Sequence, residues 1–147
     1  MRLRAFAAAA ISTATLASMS APALAANPTL HFSKAYVDSP GTDTGSNASL
    51  NAESVVITNA SATTAITLTH YTVRDRSAHV YTFPTFTLRP HASVTLHTGS
   101  GTNTTSNLYW GSRAYIWTNT GDTAYLKNTA GTLKDSCSWG HVTYVIC

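Results

Sequence analysis

The run Glu53-Ser54-Val55-Val56-Ile57-Thr58-Asn59 decides the fold. Val55 and Ile57 alternate with Ser54 and Thr58, a period of two that places the aliphatics on one face of a strand and the hydroxyls on the other. Val56 interrupts the polar face, as it would where a second packed layer covers it. Glu53 has the parity of Val55 and Ile57, so its carboxyl is expected to reach a backbone amide or a basic partner rather than stand unpaired against the core.

The same alternation continues along the chain. Ile66 and Leu68 keep one phase while Tyr71 and Val73 keep the other, which predicts a β-bulge or a bend at Thr69-His70. The chain turns at Arg74-Asp75-Arg76-Ser77. Val80 to Phe83, Phe86 to Leu88 and Val94 to Leu96 follow, punctuated by Pro84 and Pro90, which cannot donate to a central ladder. Gly99 to Thr105 reads as a flexible polar loop. Ala114 to Thr118 and Thr123 to Leu126 flank Asn119-Thr120-Gly121-Asp122, a hairpin signal. Asn128-Thr129-Ala130-Gly131 then leads into Thr132 to Cys137, and Val142 to Ile146 ends the chain. No segment after Ala26 carries a helical period with caps. Seven to nine short antiparallel strands predict an all-β, immunoglobulin-like β-sandwich, without the Cys...Trp...Cys spacing of antibody domains, and with no internal repeat or linker.

The chain of 147 residues holds 9 Lys+Arg against 6 Asp+Glu, with 10% charged and 44% apolar residues. That charged share lies far below the roughly 25% of ordinary soluble domains, so Thr and Ser must build the polar surface. This balance argues against a disordered charged tail, and no heptad pattern suggests a coiled coil. Arg2 and Arg4, the Ala-rich run Ala5 to Ala17 and the small-residue site Ala23-Leu24-Ala25 read as a secretory signal over residues 1–25. The apolar run is too short to span a bilayer. Residues 26–147 are expected to form one exported domain. Losing Arg2 and Arg4 brings the formal charge of +3 close to neutrality, so basicity gives no argument for nucleic acid or an anionic membrane. In an oxidising compartment Cys137 and Cys147 read as a disulfide anchoring the C-terminal tail.

No constellation carries catalysis. A G-x-S-x-G elbow is missing, and six scattered histidines make chance Ser/His/Asp combinations common. His70, His79, His91 and His97 raise copper or zinc, but Ser93 to Leu96 between the last two offers no tight chelate. Six acids are too few for a calcium cage or a glycosidase pair. Gly99-Ser100-Gly101 lacks the strand, helix and lysine of a phosphate-cradling loop. Asp75 and Asp122 read as turn acceptors, and Trp117 as a packed aromatic. Tyr109-Trp110 and Trp139 admit two roles: covering an edge or core, or stacking on a sugar or base.

Several runs together resemble the ordered strands of a lamin tail domain, from about Leu30 to Trp139. They are Asn51 to Asn59, Leu68 to Asp75, Tyr81 to Phe83 with Leu88-Arg89-Pro90, Val94 to Gly101, Ile116 to Leu126 and Gly131 to Asp135. The resemblance implies an immunoglobulin-like sandwich and does not imply catalysis. Bacterial secreted members of that family resemble accessory modules of extracellular nucleases, hydrolases and surface proteins. Nuclear members sit behind a coiled-coil rod, which this sequence does not show, so their partners are not carried over.

The expectation is a secreted, free or surface-associated recognition or scaffold module with no catalytic residue, cofactor or metal. Its partner would be an extracellular protein, a glycan or a surface component. Tyr109, Trp110, Arg74 and Arg76 are the candidate ligand contacts, with the Gly99 to Thr105 loop beside them. DNA is the weaker partner, because seven scattered basic residues fall short of about six to ten clustered phosphate contacts. The alternative from another class is a secreted hydrolase or metal-dependent enzyme with a nonstandard site.

Overall fold

The computed structural model describes residues 28–147; the expected leader, its cleavage site and the start at Ala26 lie outside them. In chain order the elements are β1 (Leu30–Tyr36), α1 (Asn47–Ala52), β2 (Ser54–Asn59), β3 (Ile66–Thr67), β4 (Thr72–Arg74) and β5 (Val80–Thr82). They continue as β6 (Thr87–Leu88), β7 (Ser93–His97), β8 (Asn107–Tyr109), β9 (Asp122–Lys127), β10 (Leu133–Trp139) and β11 (Tyr144–Ile146). A five-stranded sheet runs β11-β1-β2-β7-β8, a four-stranded sheet runs β10-β9-β4-β5, and β3 pairs with β6 at the side.

The opening run lies at the centre of the larger sheet. Val55 is in register with Ala35 and Leu96, and Ile57 with Phe32 and Val94. All six are buried, and they meet Val73, Ala124 and Leu126 from the other sheet in one continuous apolar layer. This is the immunoglobulin-like β-sandwich expected from the alternation. The opposite parity of the larger sheet, Tyr36, Ser54, Val56, Thr58 and Thr95, faces outward.

Four local features depart from the sequence reading. Asn47–Ala52 is helical, a single element of six residues, too short to show a period; its mark is Ser46, whose hydroxyl caps the Ser49 amide at 3.2 Å. Ala114 to Thr118 is not a strand, because the Ile116 and Trp117 amides are taken by the Glu53 carboxyl instead of a neighbouring chain. The Tyr109 segment is a strand, β8, and pairs with β7 in parallel while every other pairing is antiparallel. Counted among the described residues there are eleven strands, the excess over nine coming from pieces of two or three residues. At Thr69-His70, of the two expected alternatives the chain takes the bend: His70 adopts a left-handed φ of 62° where β3 gives way to β4.

Cys137 of β10 and Cys147 after β11 come from different sheets. Their Cα atoms are 5.5 Å apart with the sulfurs at bonding distance, a disulfide-capable pair that would tie the edges of both sheets together.

Candidate functional site

Glu53 organises the loop end of the sandwich. It is fully buried, and its Oε1 accepts three hydrogen bonds: from the Ile116 amide at 2.9 Å, the Trp117 amide at 2.8 Å and the Thr98 hydroxyl at 2.8 Å. Its Oε2 has no partner. Burial pushes the carboxyl up to about 7, against the opposing pull of the three donors. The expected amide contact is therefore real, and it fastens the 116–117 segment across the end of β2.

The four sequence-derived candidate contacts fall into two places. Tyr109 stacks on His97 with ring centroids 5.1 Å apart, and its ring lies so close to Gly101 that any Cβ there would collide with it. Trp110 joins an inner aromatic row, 5.7 Å from Tyr81 and 5.9 Å from Trp117, which continues to Trp139 at 5.6 Å. Both residues are thus half-buried among neighbours. The Gly99 to Thr105 loop beside them is tied down, since Asn47 and Asn51 donate their side-chain amides to the Ser100 carbonyl at 3.0 and 2.9 Å. Arg74 and Arg76 are elsewhere, on the outer side of the four-stranded sheet with Tyr125 and Lys127.

Two of the four histidines that raised a metal, His79 and His97, are differently employed. His97 Nδ1 is 2.8 Å from the Asn51 carbonyl and its Nε2 is 3.0 Å from Asn107 Oδ1, so neither ring nitrogen is free. His79 faces the buried Asp75 carboxyl at 2.6 Å. Among the described residues no three His, Cys, Asp or Glu side chains gather as a metal site would require.

A surface that sequence reading missed lies on the outer face of the larger sheet. Tyr36 and Tyr144 are cross-strand partners on β1 and β11, 39% and 55% exposed, with ring centroids 6.0 Å apart and a tilt of 37°. Lys34 Nζ sits 5.3 Å from one ring centroid and 6.0 Å from the other. The two rings, with Asp38, Val56, Thr95 and His97, border a groove of about 430 Å³. Its one sequence signal was Val56, the apolar residue breaking a polar face. Among the described residues no second layer covers it; it forms part of the groove instead.

A family model described as Lamin Tail Domain matches residues 23–141 of the chain. No curated protein sequence matches it.

Proposed function

Because the chain belongs to the lamin tail domain family, a family of immunoglobulin-like binding domains, we propose that it is an exported, non-enzymatic recognition module whose Tyr36–Tyr144 groove takes an extracellular glycan. The observation that carries this reading is the pair of unburied tyrosines side by side on the outer sheet face, next to Lys34, Val56 and the exposed Ile146. Large apolar groups exposed together on a soluble domain mark an interaction surface. A pyranose offers C–H faces to an aromatic plane and hydroxyls to acceptors at its edge. The groove supplies both: two phenol rings, the apolar Val56, and Asp38 and Thr95 at its rim. Concave sites of this kind, mostly apolar with a few placed polar groups, are the usual form of small-ligand pockets.

Export supports the reading from the other side, since the signal over residues 1–25 would deliver the domain to where glycans are displayed, and an oxidising compartment would close the Cys137–Cys147 bond. No helix among the described residues is long and apolar enough to cross a membrane. The test is retention of the folded chain on immobilised envelope polysaccharide, with Y36A/Y144A as the comparison. The double variant should lose retention by about tenfold or more, the effect of removing aromatic anchors from a binding site. Equal retention of the variant and the unaltered chain would refute the assignment.

A further inference from the structure

Arg74-Asp75-Arg76 reads as a self-neutralising turn, one carboxylate between two guanidiniums, but the structure separates the charges. Asp75 is completely buried; its Oδ1 accepts from the His79 amide at 2.8 Å and its Oδ2 meets His79 Nδ1 at 2.6 Å. Arg74 and Arg76 point outward instead, with Arg74 Nε donating to the Asp75 backbone carbonyl at 3.4 Å. With Tyr125 and Lys127 they line a recess of about 350 Å³ on the outer face of the four-stranded sheet.

The register explains why three of these groups meet, and the turn after β4 brings Arg76 to the same recess. Arg74 lies opposite Tyr125 and Thr72 opposite Lys127 across β4 and β9, so alternate residues of neighbouring strands project to the same side. Like charges gathered on one face of a sheet are ordinarily destabilising and are offset by carboxylates. None is supplied here. Glu53, Asp122 and Asp135 accept from backbone amides, Asp38 holds the Asn119 amide, Asp43 lies near enough to Glu53 to raise its pKa, and the one ion pair among the described residues joins Asp75 to His79. Three of the seven basic side chains after the leader therefore share one recess with no acidic partner.

We propose that this recess binds a tetrahedral oxyanion, the phosphoryl or sulfuryl group of an extracellular polymer. Two guanidiniums present planar forks that match pairs of oxygens on such a group, Lys127 adds a point charge, and the Tyr125 phenol is a neutral donor. Three positive charges suit a dianion better than a single carboxylate. The site is on the opposite outer face from the tyrosine groove and does not depend on it.

The experiment titrates pyrophosphate, inorganic phosphate and sulfate into the folded chain at constant ionic strength, balanced with chloride, and follows backbone amide shifts. Saturable shifts confined to the neighbourhood of Arg74, Arg76, Tyr125 and Lys127 are expected, with pyrophosphate tighter than phosphate. Phosphate tighter than sulfate would assign a phosphorylated polymer, and the reverse a sulfated one. The R74Q/R76Q variant should weaken pyrophosphate by about tenfold or more, while R89Q/R113Q, with the same loss of charge away from the recess, should stay within about twofold. Shifts that remain linear and match those in chloride, or an equal loss in both double variants, would overturn the site. Y36A/Y144A should leave the pyrophosphate affinity unchanged, which separates this test from that of the glycan groove.

Discussion

At Glu53 three donors converge on one carboxyl oxygen while the other has none, and the two halves of that arrangement pull its ionisation in opposite directions. Desolvation wins, lifting the group from 4.5 to about 7. Between those values the unfolded chain has released the proton and the folded chain still holds it. Stability is therefore full below about pH 4.5 and declines as the pH rises toward 7, by on the order of 3 kcal/mol at roughly 1.4 kcal/mol per pH unit. Glu53→Gln keeps an acceptor for the two amides and the hydroxyl but cannot ionise. Urea midpoints measured at pH 5 and pH 7.5 should drop for the native chain and stay level for the variant; a level native chain would mean the carboxyl ionises at its ordinary value. Glu53→Ala strands three buried donors and should cost about 3 kcal/mol or more at either pH. Parity alone predicted that Glu53 seeks an amide or a basic partner. Which amide was hidden, because its partners lie 63 and 64 residues away in a segment whose alternation imitates a strand.

Among the elements, β2, β7 and β9 were legible because each runs five or six residues with one face in the core, so the period-two signal is sampled several times. The helix α1 and the strand β8 were not, since six and three residues are too few to define a period and both depend on tertiary partners. The tyrosine groove was invisible for a related reason: Tyr36 and Tyr144 meet only through the β1–β11 pairing of the chain's two ends. That pairing is short. It holds through the Cys147 amide on the Ser33 carbonyl at 3.1 Å, the Val37 amide on the Thr143 carbonyl at 3.0 Å, and the Cys137–Cys147 pair at its margin. Cross-linking a loop of this size contributes about 2 to 3 kcal/mol, felt first at the edge strand it anchors. Reduction, or Cys147→Ser, should speed amide hydrogen exchange in Tyr144–Ile146 while β2 and β7 keep their protection. Equal acceleration in all three strands would show that the bond supports the whole sandwich rather than its edge.

For the molecule as a whole, the low charge of the sequence and the uneven placement of what charge there is have a joint consequence. Stability rests on the apolar layer between the sheets and on backbone ladders, with one ion pair among the described residues, so salt has few attractive pairs to weaken. The recess of Arg74, Arg76 and Lys127 is a concentration of repulsion instead. A binding site kept at the expense of stability behaves in a defined way: removing its charges should stabilise the unliganded fold. R74Q/R76Q is accordingly expected to raise the urea-unfolding free energy by a few tenths of a kcal/mol in about 0.05 M NaCl. In about 1 M NaCl, where the screening length falls to roughly 3 Å, the gain should vanish because the repulsion in the unaltered chain is already screened. The composition shows seven basic against six acidic side chains beyond residue 25, close to neutrality. Only the β4–β9 register, with the turn that brings Arg76 beside it, shows that three of the chain's cations share one surface, and that the field there differs from the average. If the double variant is less stable than the unaltered chain, and equally so at both salt concentrations, the arginines are making native contacts of their own and the repulsion argument fails.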